Sequence, residues 1–430
     1  MEQNFKEEHV TKAVLAGLAS PRLEKGESAD EQSMAELSAL LETAGGIAVG
    51  EVLQNRPSPD PRTFVGEGKV AEIRQLVETE GAELVIFDNE LSPSQMRVLT
   101  EELGVQVLDR SGLILDIFAQ RARTREGRLQ VELAQYKYLL PRLTGMWGHL
   151  VRQTAAGGRS PIGTRGPGET QLESDRRHIR RKIAKLEEEL AEVRRVRSTQ
   201  RERRIKNEVP VVAIVGYTNA GKSTLLNQLT GSDIPANNRL FDTLDTTTRL
   251  LQVNDFLEVL VSDTVGFIRK LPHHLVDAFK ATLEELTFAD LLLHVIDSSS
   301  PDWQEQVEIV EDLIRELGAE QIPRIDVFNK ADLYTGDIKP HGERIVSISA
   351  KTGAGLPELL SKINTVLDKG ARRVTLRLPY DQGSVLDVLY REAKVEAVEY
   401  ASEIVVQAIC PRKLLGQISE FLSAPGGEPT

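Results

Sequence analysis

The octapeptide GYTNAGKS, Gly216 to Ser223, constrains this chain more than any other stretch. It has the form G-x-x-x-x-G-K-S, with the apolar run VVAIVG leading in and the helix-like TLLNQLTG following. In that context the pattern has a mechanism. Backbone N–H groups of the loop and of the helix start wrap phosphate oxygens, Lys222 neutralises β and γ oxygens, and Ser223 ligates Mg²⁺. The expectation places Gly216, Tyr217, Thr218, Asn219, Ala220, Gly221, Lys222, Ser223 and Thr224 at a nucleotide. Such a loop needs a parallel sheet around its strand. VPVVAIVG, FLEVLVSDT, DLLLHVIDSS and IPRIDVFNK supply one, being almost continuously apolar and ending in polar residues, as strands buried on both faces do.

The base is selected further along. In NKAD (Asn329, Lys330, Ala331, Asp332) the Asp332 carboxylate can accept from guanine N1–H and the exocyclic amine, which adenine presents differently or lacks. Asn329 would buttress the loop and the ring, and Lys330 would lie across the base plane. SAK (Ser349, Ala350, Lys351) can supply backbone N–H to the guanine oxygen. Between these motifs, DTVG (Asp263, Thr264, Val265, Gly266) closes a strand; Asp263 sits where a carboxylate holds a magnesium-bound water, and the Gly266 amide can meet a γ-phosphate. FDTLDTTTR, Phe241 to Arg249, supplies a threonine for Mg²⁺, and Thr243, Thr246, Thr247 and Thr248 compete for that role on spacing alone. Phe267 occupies the position after DTVG, where small GTPases that hydrolyse with a glutamine place it, and can neither orient nor deprotonate water. Slow intrinsic hydrolysis stimulated by a partner follows.

Upstream, residues 1 to about 120 alternate strand-like GIAVGEVLQ, ELVIFDN and VQVLDRS with helix-like VAEIRQLVETE and SPSQMRVLTEEL, the latter opened by Ser92 and Pro93. A small parallel α/β layer is expected. Leu129, Leu133, Tyr136, Leu140 and Leu143 then repeat at helical seam spacing, as do Ile179, Ile183, Leu186, Leu190 and Val193. Two such seams predict an antiparallel hairpin with the glycine-rich GGRSPIGTRGPGETQ, Gly157 to Gln171, at its tip. The tail, VTLRLP through KLLGQISEFL, reads as βαββα.

Charge separates the hairpin from its surroundings. Residues 121–206 hold 22 Lys and Arg against 10 Asp and Glu, leaving 31 against 55 for the rest of a chain whose net charge is −12. That basic excess suits a polyanion partner, and Arg159, Arg165, Arg176, Arg177, Arg180 and Arg181 are candidate RNA contacts. A single cysteine, Cys410, excludes a multi-Cys metal site and reads as apolar filler. The polar N-terminus and the lack of a long apolar run predict no membrane insertion.

The chain resembles the HflX family of translational GTPases, within the Obg-HflX group of P-loop proteins. The resemblance rests on GYTNAGKS, FDTLDTTTR, DTVGFIRKLP and NKAD, and more specifically on LDRSGLILDIFAQRARTREGRLQVELAQ and GTRGPGETQLESDRR. It implies that Thr243 is the magnesium threonine and that Lys222, Thr243 and Gly266 are the catalytic groups, with Ser223 and Thr243 on Mg²⁺ and Asp263 acting through water. Nucleotide contacts at Phe241, Asp242, Leu244 and Asp245 come with it. The family pattern also has a hydrophobic residue after DTVG, whereas Asp245-Thr246-Thr247 departs from its usual Asp-Pro-Thr. The resemblance implies binding to the large ribosomal subunit and its rRNA, and splitting of stalled or idle ribosomes. ATP binding by the N-terminal region, reported for some members, finds no Walker-type motif before Val209.

The expected fold is α/β, a P-loop GTPase domain at 209–370 with a parallel sheet and flanking helices. A small α/β domain at 1–125 and the basic hairpin at 126–208 precede it, and a small α+β domain at 371–430 follows. The expected protein is a cytoplasmic GTPase, in part peripheral to the membrane and monomeric when free, that cycles between GTP and GDP. Two other functions compete: an RNA-binding assembly factor in which GTP only locks a conformation, and a signalling GTPase with a protein partner.

Overall fold

A computed structural model describes residues 10–23, 27–154, 167–206, 209–232, 240–241, 247–254, 257–270, 286–334, 336, 340–367, 372–410 and 412–422. The chain opens with β1 (Lys12–Ala19), α1 (Glu31–Thr43), β2 (Ile47–Asn55), α2 (Glu67–Glu80), β3 (Leu84–Phe87), α3 (Pro93–Leu103), β4 (Gln106–Asp109) and α4 (Arg110–Arg121). The four strands form a parallel sheet in the order β2-β1-β3-β4. Ser92 caps α3 as its sequence indicates, accepting from Gln95 N–H while Gln95 reaches back to the Ser92 backbone. β1 was not expected. Its KAVLAGLA is built from small apolar residues with a glycine, a weak strand signal, yet it lies between β2 and β3 and is almost wholly buried because helices cover both faces: Ala13 and Leu15 cluster with Met34 and Leu37, and Val14, Ala16 and Leu18 with Val70 and Ile73.

Next come α5 (Arg125–Thr154) and α6 (Pro167–Lys206), the latter long enough to span about 60 Å. They run antiparallel: Arg125 pairs with Glu189 near one end, and Glu132 with Lys182 further along. Leu129 and Leu133 pack against Leu186 and Leu190 along the predicted seam, with Tyr136, Ile183 and Val193 alongside. Pro167 opens α6 at its first turn, where its missing N–H has no helical partner to lose, so the tip is shorter than the glycine-rich stretch suggests. The hairpin is fixed to the first sheet by a buried cluster. Asp109, at the end of β4, accepts from the Tyr138 hydroxyl at 2.7 Å and from Arg142 Nη2 at 3.0 Å, while Arg142 also donates to Leu91 O.

The second sheet holds β5 (Val211–Gly216), β6 (Thr247–Gln252), β7 (Glu258–Asp263), β8 (Leu291–Asp297), β9 (Arg324–Asn329) and β10 (Ile345–Ser347), in the order β10-β9-β8-β5-β7-β6. Every pairing is parallel except β6 with β7. Helix α7 (Lys222–Thr230) follows β5, and helices Trp303–Glu316 and Leu356–Leu367 flank the sheet. The helical pattern starting at Leu283 lies mostly outside the described residues. At the C-terminus β11 (Arg372–Leu378), helix Gly383–Glu392, β12 (Lys394–Tyr400), β13 (Ile404–Cys410) and helix Arg412–Gln417 make the expected βαββα unit. Its antiparallel sheet, β11-β13-β12, buries Cys410 among Leu376, Leu378, Leu389 and Val406. Among the described residues, no helix is long and apolar enough to cross a membrane.

One buried cluster joins the first two sheets. Met34 and Leu37 of α1, and Leu113, Ile117 and Phe118 of α4, pack with Phe241, Val265, Phe267 and Ile268. Phe118 and Phe241 meet edge to face, ring centroids 4.7 Å apart.

Candidate nucleotide site

The loop between β5 and α7 sits at the carboxyl end of a central strand, where parallel sheets bind ligands. Gly221 holds φ +93°, and a Cβ there would run into the Asn329 amide. That close approach has a purpose: Asn329 Nδ2 donates to Ala220 O at 2.8 Å, and Ala350 N–H donates to Asn329 Oδ1 at 2.9 Å. Asn329 thus ties three sequence-distant loops together. Lys330 pairs with Asp297 at 2.6 Å, and Ala331 N–H bonds Ile348 O. The Ser349 hydroxyl donates to Asp332 Oδ1 at 2.6 Å and holds that carboxyl below its ordinary pKa. Asp332 is therefore an acceptor at neutral pH, with Lys351 exposed beside it.

On the phosphate side, Ser223 Oγ donates to Asp263 Oδ2 at 2.7 Å, and Thr264 Oγ1 to Ile214 O. Lys222 Nζ donates back to Gly216 O at 3.1 Å and Tyr217 O at 2.7 Å. The buried Thr218 hydroxyl has no hydrogen-bond partner among the described residues, a donor suited to an incoming phosphate oxygen. Gly266 closes against this loop. A Cβ on it would lie 2.9 Å from Lys222 Nζ and 3.0 Å from Thr218 Cα, which explains the glycine. Asn219 takes φ +61°, and Thr224 continues the first turn of α7.

Two residues from the nucleotide motifs turn elsewhere. The Tyr217 ring is buried and its hydroxyl donates to Glu36, leaving only its backbone toward the phosphates. Phe241 faces Phe118. Thr247 and Thr248 form β6, Thr247 opposite Asp263, so they belong to an edge strand. Asp242, Thr243, Leu244, Asp245 and Thr246 lie outside the described residues, as do Arg159 and Arg165. Arg177, Arg180 and Arg181 are exposed on α6 and Arg176 half-buried, with Arg177 near Glu173 at 4.0 Å. Sequence reasoning missed Glu36, Asp88, Arg110, Arg269 and Lys270, which form a polar network beside Tyr217. The only hint was two cations, Arg269 and Lys270, directly after an apolar run.

Burial lowers the Lys222 ammonium to about 8, partly opposed by Asp263. Phosphate binding needs the charged form. Below that value the amine is already protonated; above it, binding must take up a proton. GDP affinity should therefore be flat below about 8 and fall by up to about tenfold per pH unit above it. A fluorescent-GDP titration across that range checks this, and a flat profile refutes it.

Comparison with known proteins accords with this geometry. Three family models match in succession: "GTP-binding GTPase N-terminal" over residues 31–119, "GTP-binding GTPase Middle Region" over 121–204 and "50S ribosome-binding GTPase" over 211–330. GTPase HflX of Caldanaerobacter subterraneus is 51% identical over 367 residues, 85% of this chain and 84% of the relative. GTPase HflX of Escherichia coli K12 is 46% identical over 374 residues, 85% of this chain and 86% of its own. A solved GTP-binding protein from Sulfolobus solfataricus, in complex with GDP, is 27% identical, covers 83% of this chain and 98% of its own, and has a TM-score of 0.42. With family models spanning residues 31 to 330 and relatives aligned over most of their own lengths, the chain belongs to the HflX family of GTPases.

Proposed function

We propose that this GTPase binds the large ribosomal subunit through its basic hairpin and couples GTP binding and hydrolysis to ribosome splitting or rescue. The observation that carries the reading is a long two-helix arm bearing exposed arginines and tied to the first sheet through Asp109 and Arg142. The family model "50S ribosome-binding GTPase" over the nucleotide domain and the +12 balance of residues 121–206 support it. Such an arm offers guanidinium forks to RNA phosphates.

At the nucleotide, Asp332 would accept from guanine N1–H and its exocyclic amine, and Lys330 would cover the base. Lys222 would leave the Gly216 and Tyr217 carbonyls for the β and γ oxygens. The paired Ser223 hydroxyl and Asp263 carboxylate are hard oxygen donors and fit Mg²⁺, with Ser223 and Thr243 as direct ligands and Asp263 through water. Bound there, Mg²⁺ neutralises charge on the β and γ oxygens. The Gly266 amide would then report on the γ-phosphate.

The test is ribosome splitting by a Lys222→Ala, Ser223→Ala variant. Loss of splitting together with GTP binding is expected. Splitting that survives without GTP binding would favour an assembly factor in which the nucleotide only locks a conformation. Absence of co-sedimentation with large subunits in a GTP analogue would point to a protein-directed signalling GTPase.

A further inference from the structure

The segment after DTVG is tied at both ends of a short span. At one end it is drawn onto the P-loop: Thr218 N–H donates to Phe267 O at 2.7 Å, and Phe267 N–H to Gly216 O at 3.1 Å. Gly266 lies against Thr218 and Lys222 with no room for a Cβ. A γ-phosphate held by Lys222, Thr218 and the Gly266 amide would need about 3 Å from each donor, and the close packing of Gly266 on Thr218 and Lys222 leaves little room between them. GDP makes no such demand.

At the other end the segment is bonded to the N-terminal sheet. Lys270 Nζ pairs with Asp88, a carboxylate with no exposed surface just past the end of β3. Asp88 also receives Arg110 Nη1 at 2.7 Å and the Ser33 hydroxyl at 2.8 Å. Arg110 pairs with Glu36, and Glu36 receives the Tyr217 hydroxyl. The Tyr217 oxygen in turn accepts from Arg269 N–H at 2.9 Å. A continuous polar chain therefore runs from the P-loop through Glu36, Arg110 and Asp88 to Lys270. Burial pushes the Asp88 carboxyl up, and Arg110 and Lys270 more than reverse this, so Asp88 is ionised and the pairs are between full charges. Two anions and two cations in so little water make each partner costly to remove.

We infer that the Asp88–Lys270 pair is a specificity latch: it holds the DTVG segment where GDP fits and GTP does not, so the N-terminal domain sets the ratio of GTP to GDP affinity. A ligand that binds latched and unlatched forms alike shifts nothing, whereas one that requires the unlatched form has its affinity reduced by the latch equilibrium. Lys270 and Asp88 are positioning residues, acting through Gly266. The inference concerns the nucleotide site alone and does not depend on what the hairpin binds.

The experiment compares the full chain with its Lys270→Gln variant, using fluorescent GDP and a non-hydrolysable GTP analogue. Lys270→Gln leaves Asp88 with Arg110 and Ser33, so the fold retains its internal pair. GTP-analogue affinity should rise about tenfold while GDP affinity stays within about twofold, in the range of known site-to-site couplings. Lys270→Arg should keep the parent ratio. Asp88→Asn should shift the ratio in the same direction, and the double variant should shift it no further than either alone. GDP binding reports at each step that the nucleotide domain is folded; should Asp88→Asn fail to fold, the two Lys270 variants carry the test. Equal changes in both affinities, an unchanged ratio, or full additivity of the two substitutions would overturn the latch.

Discussion

Single-turnover GTP hydrolysis by the isolated chain should be slow and should rise at least tenfold when large ribosomal subunits are added, as for partner-activated GTPases. The reason is Phe267. Only 2% of its surface is exposed, its backbone is bonded to the P-loop on both sides, and its ring packs among Val265, Ile268 and Phe118. Phe267 puts no polar side chain where a water-orienting glutamine would stand, so a group from elsewhere is expected to complete the site. Stimulation in such systems spans about 10³ to 10⁵, which leaves wide margin above tenfold. An unstimulated rate equal to the stimulated one would remove the idea that hydrolysis reports docking. Phe267→Gln separates two causes: if the missing polar group alone limits the rate, intrinsic turnover rises, whereas if the closed Gly266–Thr218 contact limits it, turnover stays low.

Neutralising Arg176, Arg177, Arg180 and Arg181 together to glutamine should abolish stable binding to the large subunit while leaving GTP affinity unchanged. These side chains lie on α6, far along the chain from GYTNAGKS and its ligands, and Arg177, Arg180 and Arg181 face solvent. If each contacts one phosphate, the slope of log affinity against log salt should fall by about three to four units. A slope unchanged by the four substitutions would show that the arm meets protein. Deleting Gly157 to Gly168 tests the tip by the same logic, with GTP binding retained and ribosome action lost. If both vanish, the tip serves the fold and the docking role fails.

The placement of the nucleotide motifs was legible because their parts are local. GYTNAGKS carries its own strand, turn and helix start, and Asn329 ends β9, Asp332 follows it by three residues and Ser349 follows β10 by two. The hairpin was legible for the same reason, since a seam at spacings of three and four declares its own partner face. β1 was not, because KAVLAGLA acquires its role only from the neighbours on either side of it. Nor was the turning of Tyr217 and Phe241 toward the N-terminal domain, since a motif specifies backbone amides and says nothing of where an intervening ring packs.

By itself the sequence determined that a parallel sheet carries the glycine-rich loop Gly216 to Ser223 between a strand and a helix, and that NKAD follows at the end of another strand. Those properties depend on strand, turn and helix propensities over eight or ten residues. Only the tertiary structure decided that Glu36 meets Tyr217, 181 positions away, and that Asp88 meets Lys270, 182 positions away. A charge finds its partner through space, in a low-dielectric gap created only after two sheets have packed, and no periodicity along the chain encodes that meeting.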